Sequence, residues 1–164
     1  MKKVIVIGCP GAGKSTFARK LSVRTGLPLH YLDMIWHLPD RTTLSREEFA
    51  ARLEKITSED EWIIDGNYLH TMPFRLQNCD TVFFFDLPSE ICLTGAEERI
   101  GKEREDMPWT EDTMDEEFRQ WIIDFPTRQL PVINSLLSEY KQKIKITVFH
   151  SREDADFFIN SITQ

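Results

Sequence analysis

Cysteine is scarce in this chain of 164 residues, and the three present, Cys9, Cys79 and Cys92, are odd in number and widely spaced. They match neither C-x-x-C nor a zinc pattern, which excludes a disulfide framework and fits a reducing cytoplasm. Basic charge is also short: 20 Lys and Arg face 27 Asp and Glu, a net charge of −7. A general nucleic-acid binder shows the opposite balance. The densest basic stretch, Lys141 to Lys145, reads as the solvated end of a helix running into a strand. No apolar run approaches the roughly 20 residues of a membrane span. The one after Met1-Lys2-Lys3 is too short for a signal peptide, so no membrane association is expected. Repeats and Pro/Gly-rich linkers are missing as well, and residues 1–164 read as a single domain.

What is present is an alternation of apolar runs with helical patterns. Val4 to Ile7, Leu29 to Leu32, Trp62 to Ile64, Val82 to Phe85 and Ile144 to Phe149 are strand candidates. Most are continuously apolar, as strands covered on both faces are, so the expectation is an α/β fold with five parallel strands. Helices are expected from Lys14 to Arg24, Ser45 to Thr57, Thr71 to Gln77, Ser89 to Arg104, Thr113 to Leu137, and onward from Arg152. Ser45 and Glu48 form a capping box, and Ser89 and Ser151 are further N-cap candidates. Pro126 and Pro131 predict a kink or break between Asp124 and Leu130. Lys102 to Asp112, charged and interrupted by Pro108, reads as a mobile segment.

Glycine is sparse, seven in all, yet three of the seven lie between positions 8 and 13. Gly8-Cys9-Pro10-Gly11-Ala12-Gly13-Lys14-Ser15 fits the P-loop pattern G-x-x-x-x-G-K-S/T, after a strand and before a helix. The chemistry explains the spacing. Glycines let backbone N–H groups turn inward around phosphate, Lys14 places a charge at the β/γ oxygens, and Ser15 offers a hydroxyl to Mg²⁺. The helix beginning at Lys14 adds its positive end, and Gly8, Pro10, Gly11, Ala12, Gly13, Lys14, Ser15 and Thr16 become the nucleotide-binding candidates.

Aspartates stand at the ends of three strands. Asp86 closes the run Thr81 to Phe85 in the layout of a Walker B strand, and is a candidate Mg²⁺ ligand with Ser15. Asp33 follows the second strand, and Asp65, with Gly66 and Asn67, follows the third, at the sheet end where open parallel sheets bind ligands. Like charges gathered at one phosphate loop call for a cation, which Mg²⁺ with ATP supplies. Asp33 is both a candidate metal ligand and a candidate base toward a hydroxyl acceptor. His30, His37, His70 and His150 have no metal-site spacing.

Several elements together resemble the bacterial topology modulation proteins, a family among the adenylate-kinase-related P-loop kinases. They are the P-loop; Leu29 to Asp33 followed by Trp36; Trp62 to Asp65 with Gly66-Asn67-Tyr68; Phe85-Asp86-Leu87-Pro88 with Cys92-Leu93; and Phe118-x-x-Trp121-Ile122-x-x-Phe125-Pro126. The resemblance covers nearly the whole chain. It implies a three-layer α/β/α domain with strand order 2-3-1-4-5, an acceptor-binding region at 34–60 and a lid at 102–112. It also implies ATP and Mg²⁺ as cofactors and a small-molecule acceptor, a nucleotide or nucleoside among the options.

Aligned on Phe85 to Pro88, one lid-helix arginine of nucleotide kinases falls on Arg99, whereas the one that covers adenine falls on Gly95. The purine preference therefore stays open. Arg128 and Arg104 are further candidates for the transferring phosphoryl group, Arg152 borders the place of adenine, and Trp36 lies where an acceptor ring would stack. Arg75, with Arg41 behind it, is the candidate for holding an acceptor phosphate; a hydroxyl acceptor would use Asp33 instead. The leading reading is an ATP- and Mg²⁺-dependent kinase, monomer or homodimer. The alternative is a nucleotide-dependent regulator that affects DNA topology indirectly and hydrolyses ATP weakly.

Overall fold

The apolar run at the N-terminus becomes the middle of the sheet. In the computed structural model, which describes residues 1–162, β1 (Lys3–Gly8) lies between β3 (Trp62–Asp65) and β4 (Thr81–Phe85). Thr163 and Gln164, the end of the expected domain, lie outside the described residues. With β2 (Leu29–Tyr31) and β5 (Lys145–Phe149) the sheet is five-stranded and parallel, in the order β2-β3-β1-β4-β5. Val4, Ile5, Val6 and Ile7 all have no exposed surface. Since successive strand residues face opposite sides, both faces must be covered, which makes the architecture three-layered.

The covering helices are α1 (Lys14–Thr25), α2 (Leu32–Trp36), α3 (Arg46–Ser58), α4 (Met72–Asn78), α5 (Ser89–Glu97), α6 (Glu116–Arg128), α7 (Leu130–Tyr140) and α8 (Arg152–Ser161). Phe17 on α1 meets Phe83, Phe85 and Phe149 edge-on at 4.9, 5.4 and 5.2 Å. Each such pair adds about 0.5–1.5 kcal/mol to its burial, and together they fix α1, and hence the loop before it, on the sheet.

The capping boxes at Ser45 and Ser151 form as expected, with Glu48 and Asp154 completing them. Ser89 is different: it is the first helical residue of α5, and Pro88 holds the cap position without a side-chain bond. The long helical pattern divides at Gln129, between α6 and α7, with Pro126 inside the first helix and Pro131 in the opening turn of the second. Helix α5 stops at Glu97, short of the expected Arg104. Its C-terminal continuation is a series of turns closed by the Gly101 N–H donating to the Glu111 carbonyl at 2.7 Å.

Candidate active site

Strand β1 ends in the loop from Gly8 to Ser15, and backbone conformation decides its composition. Gly8, Gly11 and Gly13 all have positive φ, and a Cβ on Gly11 would stand 1.9 Å from the Cys92 carbonyl oxygen. Helix α1 is capped at Gly13 by no side chain and has no acidic residue in its first turn. Its leading N–H groups and positive end are left for an anion. Lys14 Nζ donates to the Cys9 carbonyl at 2.9 Å. Burial pushes the Lys14 ammonium pKa down, with Asp65 opposing. The Ala12 N–H donates to Cys9, so the loop itself engages that donor.

Asp65, at the end of β3 beside β1, is 5 % exposed and accepts the Ser15 hydroxyl at 2.5 Å through Oδ2. Its Oδ1 is buried with no partner. Burial raises this carboxyl to about 6 in spite of Lys14 and the Ser15 bond. Asp86 does not reach the loop. Just beyond the end of β4, it is absent from the walls of the cavities at the loop and borders a separate one with Leu87, Pro88 and His150, its carboxylate 3.9 Å from His150 Nδ1. The carboxylate joined to Ser15 is thus Asp65, a correction to the Walker B reading of Asp86.

Two cavities meet at this loop. The smaller, of about 370 Å³, runs along Gly11, Gly13, Lys14, Ser15, Thr16 and Arg152. The larger, of about 910 Å³, contains Pro10, Asp33, Asp65, Gly66 and Asn67. Lys14, Ser15, Arg99, Arg104 and Asp106 border both. Arg99 Nε is buried without a partner, and burial, then the charge of Arg104, lowers the Arg99 guanidinium. Asp33, in the first turn of α2, accepts the Tyr68 hydroxyl at 2.7 Å; burial and that neighbouring charge push the Tyr68 phenol up.

Gly95 has a steric cause. A Cβ there would lie 2.2 Å from the Gly11 carbonyl oxygen and 2.4 Å from Arg152 Nη2. Helix α5 rests directly on the phosphate loop, and Arg152, arriving from α8, donates to that same Gly11 carbonyl at 2.8 Å.

Three other candidates are corrected. Arg75 has no exposed surface, and its guanidinium donates to the carbonyls of Gly66 and Asn67 and to Thr71 Oγ1. It anchors the Asp65-Gly66-Asn67 turn and presents nothing to the cavity; burial lowers its pKa to about 10. Arg128, with 75 % of its side chain exposed, pairs at 3.5 Å with Asp124 on its own helix and lines neither of the two cavities. Trp36 packs edge-on against Phe49 at 5.2 Å and is absent from the cavity walls. Asn67 does line the large cavity, but its amide is bound to Gly8, accepting from the N–H at 2.9 Å and donating to the carbonyl at 2.6 Å.

Residues 102–112, expected as a lid, hold a packed ion-pair cluster. Arg104 pairs with Asp106 at 2.8 Å and with Glu111 at 3.1 Å, and Asp106 is 6 % exposed. Burial works to raise the Asp106 carboxyl, but the hydrogen bond and charge of Arg104 outweigh it and hold the group low. Sequence reasoning missed Asp106, since an aspartate in a charged run carries no sign of burial. Trp109 and Trp121 also face the large cavity.

Comparison with solved structures agrees with this architecture. Shikimate kinase from Acinetobacter baumannii, in complex with shikimate, superposes with a TM-score of 0.60 at 15% identity, over 99% of this chain and 96% of that one. The fold is that of the P-loop kinases. Shikimate kinase from Bacteroides thetaiotaomicron gives a TM-score of 0.59 at 14% identity, covering 96% of this chain and 93% of its own. Deoxyadenosine kinase from M. mycoides, with dCMP and a flexible dCDP bound, gives 0.52 at 15%, covering 96% and 94%. No protein-family model and no curated protein matches the chain, so the resemblance to topology modulation proteins rests on its motifs alone.

Ser15 and Asp65 offer hard oxygen donors with one carboxylate oxygen unpartnered. Among the described residues no group of three or more His, Cys, Asp or Glu side chains could hold a metal by itself. That set suits Mg²⁺, which keeps waters and takes much of its coordination from substrate phosphates.

Proposed function

We propose that the protein is an ATP- and Mg²⁺-dependent kinase whose acceptor is the hydroxyl group of a small molecule. The observation that carries this is the meeting of two cavities at Lys14, Ser15, Arg99, Arg104 and Asp106. Hydrolysis alone has no need of a second, larger chamber holding a carboxylate. Mg²⁺·ATP, bound along the phosphate loop, supplies the phosphoryl group and the cation that offsets its charge. Lys14, Arg99 and Arg152 line the cavity along the loop, where Lys14 and Arg99 would offset the charge that develops on the phosphoryl group and Arg152 would border the nucleotide. Asp33 Oδ1 is engaged by Tyr68, which leaves Oδ2 to take the acceptor's proton. Arg104, tied to Asp106 and Glu111, keeps water out of the junction.

The hydroxyl is preferred over a phosphate acceptor because Arg75 is buried beneath the Gly66 turn. The structural neighbours, kinases by name, support a phosphotransferase in general. The test is ADP release from Mg·ATP with alcohols, nucleosides and nucleoside monophosphates. Stimulation by a hydroxyl acceptor, with Asp33→Asn losing about 10²–10⁴ in kcat while ATP binding persists, is expected. Release equal to the no-acceptor control throughout would instead favour the regulatory reading, and stimulation by monophosphates alone would restore a phosphate acceptor.

A further inference from the structure

The large cavity has an uneven charge distribution. Its lysine and arginine side chains are Lys14, Arg99 and Arg104, and all of them also border the smaller cavity, at the phosphate end; His37 and His70 line the large cavity alone. Arg104 is already paired with Asp106 and Glu111. The same lining carries Asp115 and Glu117 from the opening of α6, both exposed, and among the described residues neither is in an ion pair. Asp115 Oδ1 accepts the Phe118 N–H at 2.8 Å as a helix cap, which leaves Oδ2. Asp65, 5 % exposed and lining the same cavity, keeps Oδ1 without any partner.

The lining is also aromatic. Phe118 and Trp121 lie parallel with centroids 6.5 Å apart, and Trp109 meets His37 edge-on at 5.2 Å. Arg41, whose guanidinium lies 5.8 Å from the Trp109 ring, is not part of the cavity lining. Aromatic faces flanked by carboxylates are the surroundings that favour an organic cation, through ring quadrupole and charge together. Among the lining residues, an acceptor phosphate or carboxylate would find no lysine or arginine beyond Lys14, Arg99 and Arg104.

Resting on the kinase reading, we propose that the acceptor is an alcohol bearing a protonated amine, whose ammonium sits against Asp115, Glu117 and the Trp109 and Trp121 rings while its hydroxyl reaches Asp33. An ammonium about 6 Å from one carboxylate gains roughly threefold to a hundredfold in affinity as the effective dielectric falls from 80 to 20. A cationic ligand should therefore bind about tenfold tighter than its neutral counterpart, and the anionic one weakest.

Three alcohols with a phenyl ring serve as probes: phenylalaninol (cationic), 3-phenyl-1-propanol (neutral) and 3-phenyllactate (anionic). Each is titrated against tryptophan fluorescence of the full chain and of the Asp115→Asn/Glu117→Gln variant, in which asparagine can still cap α6. The expected result is the affinity order cationic, neutral, anionic, with the cationic advantage falling to about threefold or less in the variant. Equal or tighter binding of phenyllactate, an unchanged preference in the variant, or no saturable binding of phenylalaninol overturns the proposal. Binding of a fluorescent ATP analogue and acceptor-stimulated ADP release are measured in parallel. Nucleotide binding without cation preference refutes the amine alone, while cation preference without any stimulated ADP release refutes the kinase reading.

Discussion

Asp65→Asn should make the ligand-free protein more stable while removing its response to Mg²⁺. The carboxylate is buried at the phosphate loop with Oδ1 unpartnered, and its pKa rises from 3.8 to about 6. At about 1.36 kcal/mol per pH unit, that rise means the ionised group costs the folded state about 3 kcal/mol relative to an unperturbed aspartate. Asparagine removes this cost, in which the Lys14 attraction is already counted, and can keep the Ser15 bond, but its amide N–H groups would be buried where Oδ1 has no partner. A net gain of about 1–2 kcal/mol follows, or roughly 3–6 °C in Tm for a domain of this size.

The pH dependence has a definite direction. Below 3.8 the carboxyl is protonated in both folded and unfolded chains, so wild type and variant should differ little. Between 3.8 and about 6 the unfolded chain ionises first, and the wild type loses stability relative to the variant as pH rises. Above about 6 the full difference is present. Thermal melts of both proteins at pH 4, 5, 6 and 8, with and without Mg·ATP, are the assay. A variant no more stable than wild type at pH 8, or a difference largest at pH 4, would refute the electrostatic account. An undiminished Mg²⁺-dependent rise in Tm would refute the metal assignment.

Two further substitutions test the frame around the site. Arg75→Met should lower stability by about 3–5 kcal/mol in urea unfolding, because carbonyls of Gly66 and Asn67 lose a buried donor; a variant of normal stability that loses only turnover would return Arg75 to the acceptor. Gly11→Ala places a Cβ 1.9 Å from the Cys92 carbonyl at φ +81°. It should abolish binding of a fluorescent ATP analogue and lower Tm, and retained nanomolar or micromolar binding would show that the loop and α5 can separate.

The parts legible in the sequence are those fixed by local chemistry. Continuous apolar runs marked the five strands within a residue or so, and the glycine spacing marked the phosphate loop, because both follow from backbone requirements that neighbouring residues display. The strand-end aspartates were visible as a set, but choosing between Asp65 and Asp86 needed the point at which each strand stops. Asp65 is the last residue of β3, whereas Asp86 lies just beyond the end of β4. Arg75 looked like a ligand because charge is readable and burial is not. Asp106 was passed over for the same reason in reverse.

Gly95 shows how a missing residue becomes intelligible only in three dimensions. In sequence it is a lost arginine and an open question about the nucleotide. In the structure α5 lies so near the loop that a Cβ at 95 would overlap the Gly11 carbonyl, while the Arg152 guanidinium already bonds that carbonyl from α8. Close packing of helix on loop and supply of an arginine from the C-terminal helix are two sides of one arrangement: an arginine at 95 would have to push α5 away, and with α5 displaced the Gly11 turn would lose the surface that holds it.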